Sequence, residues 1–326
     1  MNEISKHRWL RWLRRLAVFG AALGLIGRAV AAAPMEIRIG YQKSSVNLAI
    51  LKSQAQLETR FKRSHVVWSE FPAGPQLLEA LNVGSLDFGM TGDTPPVFAQ
   101  AAGSSLVYVG VEPPKPESSA ILLPKDSPLR TLHDLKGKRI AFQKGSSAHF
   151  VVLRALEKAG LKYSDIQPVY LAPADARAAF EHGSIDAWSI WDPYWAAAEQ
   201  GGPLRVLSTG KDLTDNNTFY LAARAFALNH ADVVSTLLNA LTQADDYARD
   251  HPSETVTLVA TSTGISTDAA RRFLDRRPRS PVVPLNPTVV ASQQQLADTF
   301  FQAGLIPKPL KVADAVWQPA ALAAAP

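Results

Sequence analysis

The 326-residue chain contains no cysteine. That one absence excludes disulfides, thiolate metal sites and cysteine nucleophiles. It also excludes the lipidated cysteine that tethers many exported bacterial proteins, so the mature chain is expected to be free in a periplasm-like space. Long apolar runs are missing too. The run over residues 16–26 falls far short of the roughly 20 residues that a membrane-spanning helix needs, and no later stretch could span a bilayer. There is no Walker loop and no glycine-rich nucleotide fingerprint. The seven histidines show no paired metal spacing. His149 and Ser147 are two residues apart, which marks no nucleophile–base pair. The reading is therefore of a protein with no cofactor and no metal, and not an enzyme.

An excess of one charge sign is also lacking once the N-terminus is set aside. The formal charge is +5, but Lys6, Arg8, Arg11, Arg14, Arg15 and Arg28 stand against Glu3 alone before Ala33. The remainder carries equal numbers of basic and acidic side chains, so charge gives no case for nucleic acid or a membrane surface as partner. The leader itself has a basic start, an apolar run and then Ala29-Val30-Ala31-Ala32-Ala33, the parts of a secretory signal. Residues 1–32 are read as a signal peptide cleaved near Ala31 or Ala32. Arg14-Arg15 leaves twin-arginine export open beside the general route.

One stretch occurs twice. Gly84-Ser85-Leu86-Asp87-Phe88-Gly89 continues to Gly92-Asp93-Thr94-Pro95. Gly183-Ser184-Ile185-Asp186-Ala187-Trp188 continues to Ile190-Trp191-Asp192-Pro193. In each, a helix stops at the first glycine, which tolerates the left-handed conformation there. A second Asp beside Pro then starts another helix, with the carboxylate as cap. Only a short strand fits between, so each copy reads helix, strand, helix, once in each of two α/β lobes.

In chain order the pattern predicts strands at 36–40, 65–71, 87–90, 106–111, 119–123, 138–142, 168–171, 186–190, 205–208 and 218–223. Helices are predicted at 47–59, 75–83, 96–102, 132–136, 150–159, 173–182, 193–199, 231–249, 254–261, 267–277 and 292–303. Strands alternating with helices give mostly parallel sheets with helices on both faces. The passages between lobes are placed near 121–125 and 219–223, both extended and free of glycine. Lobe I is then 33–123 with 223–326, and lobe II is 124–222. Residues 320–326 form an unpatterned tail.

Three loops share one form, in which a strand leads through glycine and small polar residues into a helix: 40–45, 91–94 and 145–149. Such loops lie at the carboxyl edge of a sheet, where folds of this class bind ligands. A helix N-terminus there offers N–H donors and a partial positive charge to an anion, and Ser146 and Ser147 add hydroxyls. The same residue types also serve ordinary capping. The second feature is aromatic: Trp188, Trp191 and Trp195 stand around Asp192 with Tyr194, and Phe219 and Tyr220 follow. Rings of this kind suit the carbon part of an amphipathic ligand. Trp188 and Trp195 are read as core, and Trp191, just past the strand, as a site position. Asp87 and Asp186 are read as structural, Asp93 and Asp192 as caps that could also touch ligand.

At these residues the chain resembles the periplasmic substrate-binding proteins of ABC transporters for aliphatic sulfonates, which are related to those for taurine and nitrate. The likeness rests on Ile37-Arg38-Ile39-Gly40-Tyr41-Gln42-Lys43, on Gly84-Ser85-Leu86-Asp87-Phe88-Gly89 with Gly92-Asp93-Thr94-Pro95-Pro96, and on Lys136-Gly137-Lys138-Arg139-Ile140-Ala141. Gly145-Ser146-Ser147-Ala148-His149, Trp191-Asp192-Pro193-Tyr194 and Asn217-Thr218-Phe219-Tyr220-Leu221-Ala222 extend it, so it runs in order from about 36 to 303. It implies the two-lobe periplasmic-binding-protein fold (type II) with two crossover strands as hinge, closing on a sulfonate. It further implies a monomer in the periplasm with a small organic anion and an inner-membrane ABC permease as partners. Carried over, the substrate-binding residues are Gln42, Gly92 and Asp93 from lobe I and Ser146, Ser147 and His149 from lobe II. Trp191 and Asp192 would line the tail region, with Asn217 near a crossover. Taurine, nitrate or a thiamine-precursor pyrimidine remain alternative cargoes. A hydrolase or desulfinase on the same scaffold is disfavoured, because the desulfinating enzyme similar to this fold uses a cysteine that this chain lacks.

Overall fold

A computed structural model of the chain describes residues 35–318. The leader, its cleavage region and the tail from 320 lie outside the described residues. Within them, two five-stranded sheets form. The first contains β1 (Met35–Tyr41), β2 (Ser64–Glu70), β3 (Phe88–Gly92) and β4 (Leu106–Glu112). The second contains β5 (Ser119–Pro124), β6 (Arg139–Phe142), β7 (Gln167–Tyr170), β8 (Ala187–Trp191) and β9 (Leu204–Thr209). The last strand, β10 (Thr218–Ala223), returns to the first sheet. The orders are β2-β1-β3-β10-β4 and β7-β6-β8-β5-β9.

Each sheet is mixed rather than purely parallel, and the reason is the connection between them. β1 and β3 run parallel, whereas β10 runs against both β3 and β4. In the second sheet β6 runs parallel to β7 and β8, whereas β5 runs against β8 and β9. The reversed strand is in each case the one that has just arrived from the other sheet. β4 ends at the carboxyl edge of its sheet, so the chain reaches the second sheet at the corresponding edge and must enter it backwards. β9 to β10 repeats this in return. Hence Ser119 lies opposite Trp191, and Thr218 lies opposite both Gly92 and Glu112.

The passages themselves are residues 113–118 and 210–217. The segments near 121–125 and 219–223, read from the sequence as the passages, belong to β5 and β10 and are paired on both sides. Their even hydrophobicity is that of buried central strands; the proline-rich and polar segments before them make the crossing. The two crossings also bond to each other, through Lys115 N–H to Asp215 O at 2.9 Å and Asn216 Nδ2 to Lys115 O at 3.0 Å.

Helices cover the sheets. In chain order they are α1 (Val46–Ser53), α2 (Gln56–Arg60), α3 (Gly74–Asn82), α4 (Thr94–Ala101), α5 (Ser147–Lys158), α6 (Pro173–Glu181), α7 (Tyr194–Gly201) and α8 (Arg224–Asn229). The C-terminal set is α9 (Ala231–Asp250), α10 (Pro252–Thr263), α11 (Thr267–Asp275) and α12 (Pro287–Gln302). The helix read as 47–59 is broken, with Ala55 left-handed at φ 48° between α1 and α2. α12 starts before the expected residue 292 because Asn286 caps Val289 N–H at 2.9 Å and Pro287 suits the first turn.

The sequence repeat has a matching structural repeat. Gly84 and Gly183 are both left-handed, at φ 76° and 68°. Asp87 then receives Arg38 N–H at 2.8 Å and Nε at 3.0 Å, with Nη2 at 2.6 Å. Asp186 receives Arg139 in the same pattern, at 2.8, 3.3 and 3.0 Å. Each carboxylate thus locks the start of one central strand (β3, β8) to the strand beside it (β1, β6). The two clamps differ in exposure, since Asp87 is buried while the Arg139–Asp186 pair is half open to water. Asp87→Ala should therefore destabilise the protein by about 1–3 kcal/mol, because it leaves the part-buried Arg38 N–H and guanidinium without their shared acceptor. Asp186→Ala should cost about 1 kcal/mol or less; denaturant unfolding of both variants measures the contrast.

Candidate functional site

The carboxyl edges of the two sheets enclose a cavity of about 50 Å³. That is room for about three or four water-sized groups. From the first half come Gln42 and Ser44 after β1, Met90 and Gly92 of β3, and Pro95 of α4. From the second come Ser146 and Ser147 at the start of α5, and Trp191 and Asp192 at the end of β8. The crossings add Lys115, Ser118 and Asn216, and the C-terminal helices add Phe273 and Arg277.

Gln42, Gly92, Ser146, Ser147, Trp191 and Asp192 thus line this space. Gln42 is held by its Nε2 on Met90 O at 2.9 Å. Ser146 spends its hydroxyl on Gln143 O at 2.7 Å, which shapes the turn and leaves Ser147 as the first residue of α5. Gly92 approaches that residue across the cleft: a Cβ added there would overlap Ser147 Oγ, which would have to rotate away.

Three residues read as site positions sit elsewhere. Asp93 lies beneath the cavity and lines a second one, of about 420 Å³, together with Asn217. It occupies the N-cap position of α4 without capping it. Its carboxylate receives Thr94 Oγ1 at 3.0 Å and Thr214 Oγ1 at 3.4 Å. Burial pushes the group up, against the hydrogen bonds from Ser147 and Thr94. Asn217 turns away from the cleft, and its neighbour Asn216, with Thr218, faces it instead. His149 is fully buried, stacked on Phe142 at 4.8 Å between ring centroids. Its Nδ1 accepts Gly145 N–H at 3.2 Å and its Nε2 meets Tyr163 Oη at 3.1 Å. Desolvation, then the nearby Lys144 charge, lowers its pKa to about 3, so it is neutral. His149 therefore holds the Gly145–Ser147 turn in shape from behind.

The anion-cradle reading also narrows. Of the three helix starts, α4 carries Pro95 and Pro96 in its first turn and lacks those two N–H donors. The start of α5, with Ser147, keeps its backbone donors. Positive charge comes instead from Lys115 and Arg277. Lys115 Nζ pairs with buried Glu112 at 2.5 Å. Arg277 pairs with Asp245 at 3.1 Å and donates to Asn47 Oδ1 at 2.9 Å. Burial pushes Glu112 up, but Lys115 and Arg277 outweigh it and hold the carboxyl below its usual range. The aromatic side changes similarly. Trp188, Trp195, Phe219 and Tyr220 are core, leaving Trp191 joined by Phe273. Lys115, Phe273 and Arg277 were missed because they reach the cleft from distant segments. The one available signal was the run Arg271, Arg272, Arg276, Arg277 and Arg279 within nine residues.

Asp192 caps α7 through Ala196 N–H at 3.0 Å, as its position beside Pro193 suggested. It also pairs with Arg276 at 3.2 Å. That guanidinium is shared with Glu199, and burial pushes Asp192 up to about 7.

Comparison with known proteins places these features in context. The family model described as NMT1/THI5 like matches residues 70–255. A protein of Escherichia coli (strain K12), provisionally named an aliphatic sulfonates-binding protein, is 48% identical over 314 residues, 96% of this chain and 98% of its own. The crystal structure of the periplasmic aliphatic sulphonate binding protein SsuA from Escherichia coli has a TM-score of 0.81 at 51% identity. It covers 88% of this chain and 93% of that one. The alkanesulfonate-binding protein SsuA from Xanthomonas axonopodis pv. citri, bound to MOPS, gives 0.85 at 48%, covering 88% and 99%.

Two outcomes follow from this geometry. Gly92→Ala should force the Ser147 hydroxyl to rotate and destabilise the protein by about 1 kcal/mol, measured by denaturant unfolding. The second concerns pH. Asp192 has a folded pKa raised above its unfolded value, so its stabilisation is fully present below about pH 4. It is lost as pH rises through about 7. Unfolding free energy should fall between about pH 4 and 7, and Asp192→Asn should reduce that fall.

Proposed function

The chain belongs to the NMT1/THI5-like family and, within it, to the aliphatic sulfonate-binding proteins, and on that footing we propose that it captures a small organosulfonate outside the cytoplasm for import by an ABC transporter. It is a binding protein, and no bond is made or broken. The observation that carries the substrate class is the joining of two chemistries in one cavity. The start of α5 at Ser147 offers backbone N–H donors, Lys115 and Arg277 offer positive charge, and Trp191 and Phe273 offer ring faces, all lining the same space. Such a wall suits an anion with an apolar tail. A sulfonate stays ionised at any physiological pH, so it needs donors and cations but no proton acceptor.

In this reading α5 presents Ser147 and its opening N–H groups to the sulfonate oxygens. Gln42, Gly92 and Ser146 shape the same end, and Asp192 stands beside Trp191 at the other. Asp93, His149 and Asn217 support the site from behind. Lobe I carries the first sheet and the C-terminal helices, lobe II the second sheet, and residues 113–118 and 210–217 act as the hinge. The ligand stabilises the closed form through contacts from both sides. The leader would direct export, with cleavage near Ala31 or Ala32, and an inner-membrane permease would receive the cargo.

Calorimetry with a series of alkanesulfonates, taurine, nitrate and sulfate tests this. Alkanesulfonates should bind more tightly than sulfate or nitrate, and binding of nitrate alone would overturn the substrate. Ser147→Ala and Trp191→Ala should each weaken sulfonate binding by about 1–3 kcal/mol. Unchanged affinity in both would remove the proposed contacts.

A further inference from the structure

Two contacts between the halves differ most in chemistry. One is apolar, where Phe150 and Leu153 of α5 share a core with Leu296 and Phe300 of α12. The other is ionic and borders the cleft. Arg276, following α11, directs one arm of its guanidinium to Asp192 at 3.2 and 3.3 Å. The other arm meets both oxygens of Glu199 on α7 at 2.6 Å. The guanidinium carbon lies 3.5 Å from the centre of the Trp195 ring. Arg272, one turn earlier, approaches Glu199 at 3.7 Å.

Asp192, Trp195 and Glu199 all belong to the segment that follows β8 in the second half. Arg277, the next residue along from Arg276, is fastened to Asp245 of α9 and Asn47 of α1 in the first half. Two adjacent arginines are therefore bonded to different halves, and the backbone between them ties the halves together. Ser118 of the crossing adds its hydroxyl to Arg276 O at 3.0 Å.

We propose that Arg276 is the positioning residue of the closed state: it latches the C-terminal helices to α7 and offsets the Asp192 charge in the cleft. The proposal rests on the reading of the cleft as an anion site. A planar fork satisfied on both arms and stacked on a ring is selective for one geometry, unlike a loose surface pair. Arg276 and Glu199 keep only 18% of their side-chain surface exposed, and Asp192 none. When the halves part, these polar groups can each be taken up by water, whereas the Phe150–Phe300 contact cannot open without exposing rings. An anion entering the cleft faces Asp192, with Lys115 and Arg277 lining the same space and Glu199 behind Arg276. With Arg276 engaged, the Asp192 charge is offset, so latching and anion binding favour each other, and reciprocally.

The test compares the full chain with Arg276→Gln, Arg276→Lys and Glu199→Gln. Small-angle scattering without ligand should show a larger radius of gyration for Arg276→Gln and for Glu199→Gln. Stopped-flow displacement of MOPS should show its dissociation accelerated about tenfold in both variants, since losing a desolvated charge pair acts mainly on the off-rate. Arg276→Lys, which keeps the charge without the two-armed fork, should fall between. Wild-type dimensions and wild-type dissociation in both glutamine variants would overturn the latch. If Arg276→Gln does not fold, Glu199→Gln decides by the same two readings. If the wild-type chain binds no sulfonate, the reading of the cargo fails and scattering alone still decides the latch.

Discussion

A chain that builds two sheets and passes between them twice has to make each passage somewhere. Here both passages start and end at the carboxyl edges. That constraint reverses one strand per sheet, β5 and β10, and turns the two carboxyl edges toward each other. Everything that lines the cavity follows from it. Loops after β1, β3, β6 and β8, which could have pointed into solvent on two separate domains, converge on one small space. The crossings become part of the wall, which is why Lys115, Ser118 and Asn216 face it.

The electrostatics of that space are a matter of sharing. Lys115 and Arg277 each keep a buried carboxylate partner in Glu112 and Asp245, so neither cation is stranded when the cleft is empty. Asp192 has only part of Arg276, because Glu199 holds the other arm. The contacts joining the halves differ in the same physical way. Burying a large apolar side chain contributes about 1.5–3 kcal/mol, and Phe150 and Phe300 lie in a shared core. The ionic contact instead exchanges its partners for water when it opens, which offsets much of its loss. The apolar contact is therefore the fixed one, and the ionic contact is the one that can be made and broken within a binding cycle.

Much of this was legible in the chain. Gly84 and Gly183 needed a left-handed turn, and Asp87 and Asp186 were read as structural, since each repeat left them no other task. The Arg38 and Arg139 partners were not foreseen, because they lie on strands distant in sequence. Trp191 was separated from Trp188 by its place at the carboxyl end of β8. His149 was misread because a histidine beside two serines in a helix-start loop looks the same whether its ring turns outward or inward. The packing of Phe142 and Tyr163 turns it inward. Asp93 was read as a cap, but hydroxyls of Thr94 on α4 and Thr214 in the second crossing claim its carboxylate.

What the sequence alone determined was local: where helices stop and strands start, which loops lie at a carboxyl edge, and that two similar units are present. Those properties depend on backbone preferences and periodicity, which neighbouring residues carry. Only the tertiary structure decided which charges reach the cavity. Arg276 and Arg277 are adjacent and chemically identical, yet one is bonded to the second half and the other to the first. Nothing local distinguishes them. The difference arises because α11 packs between the halves, and the partners on each side are supplied by segments far away in the chain.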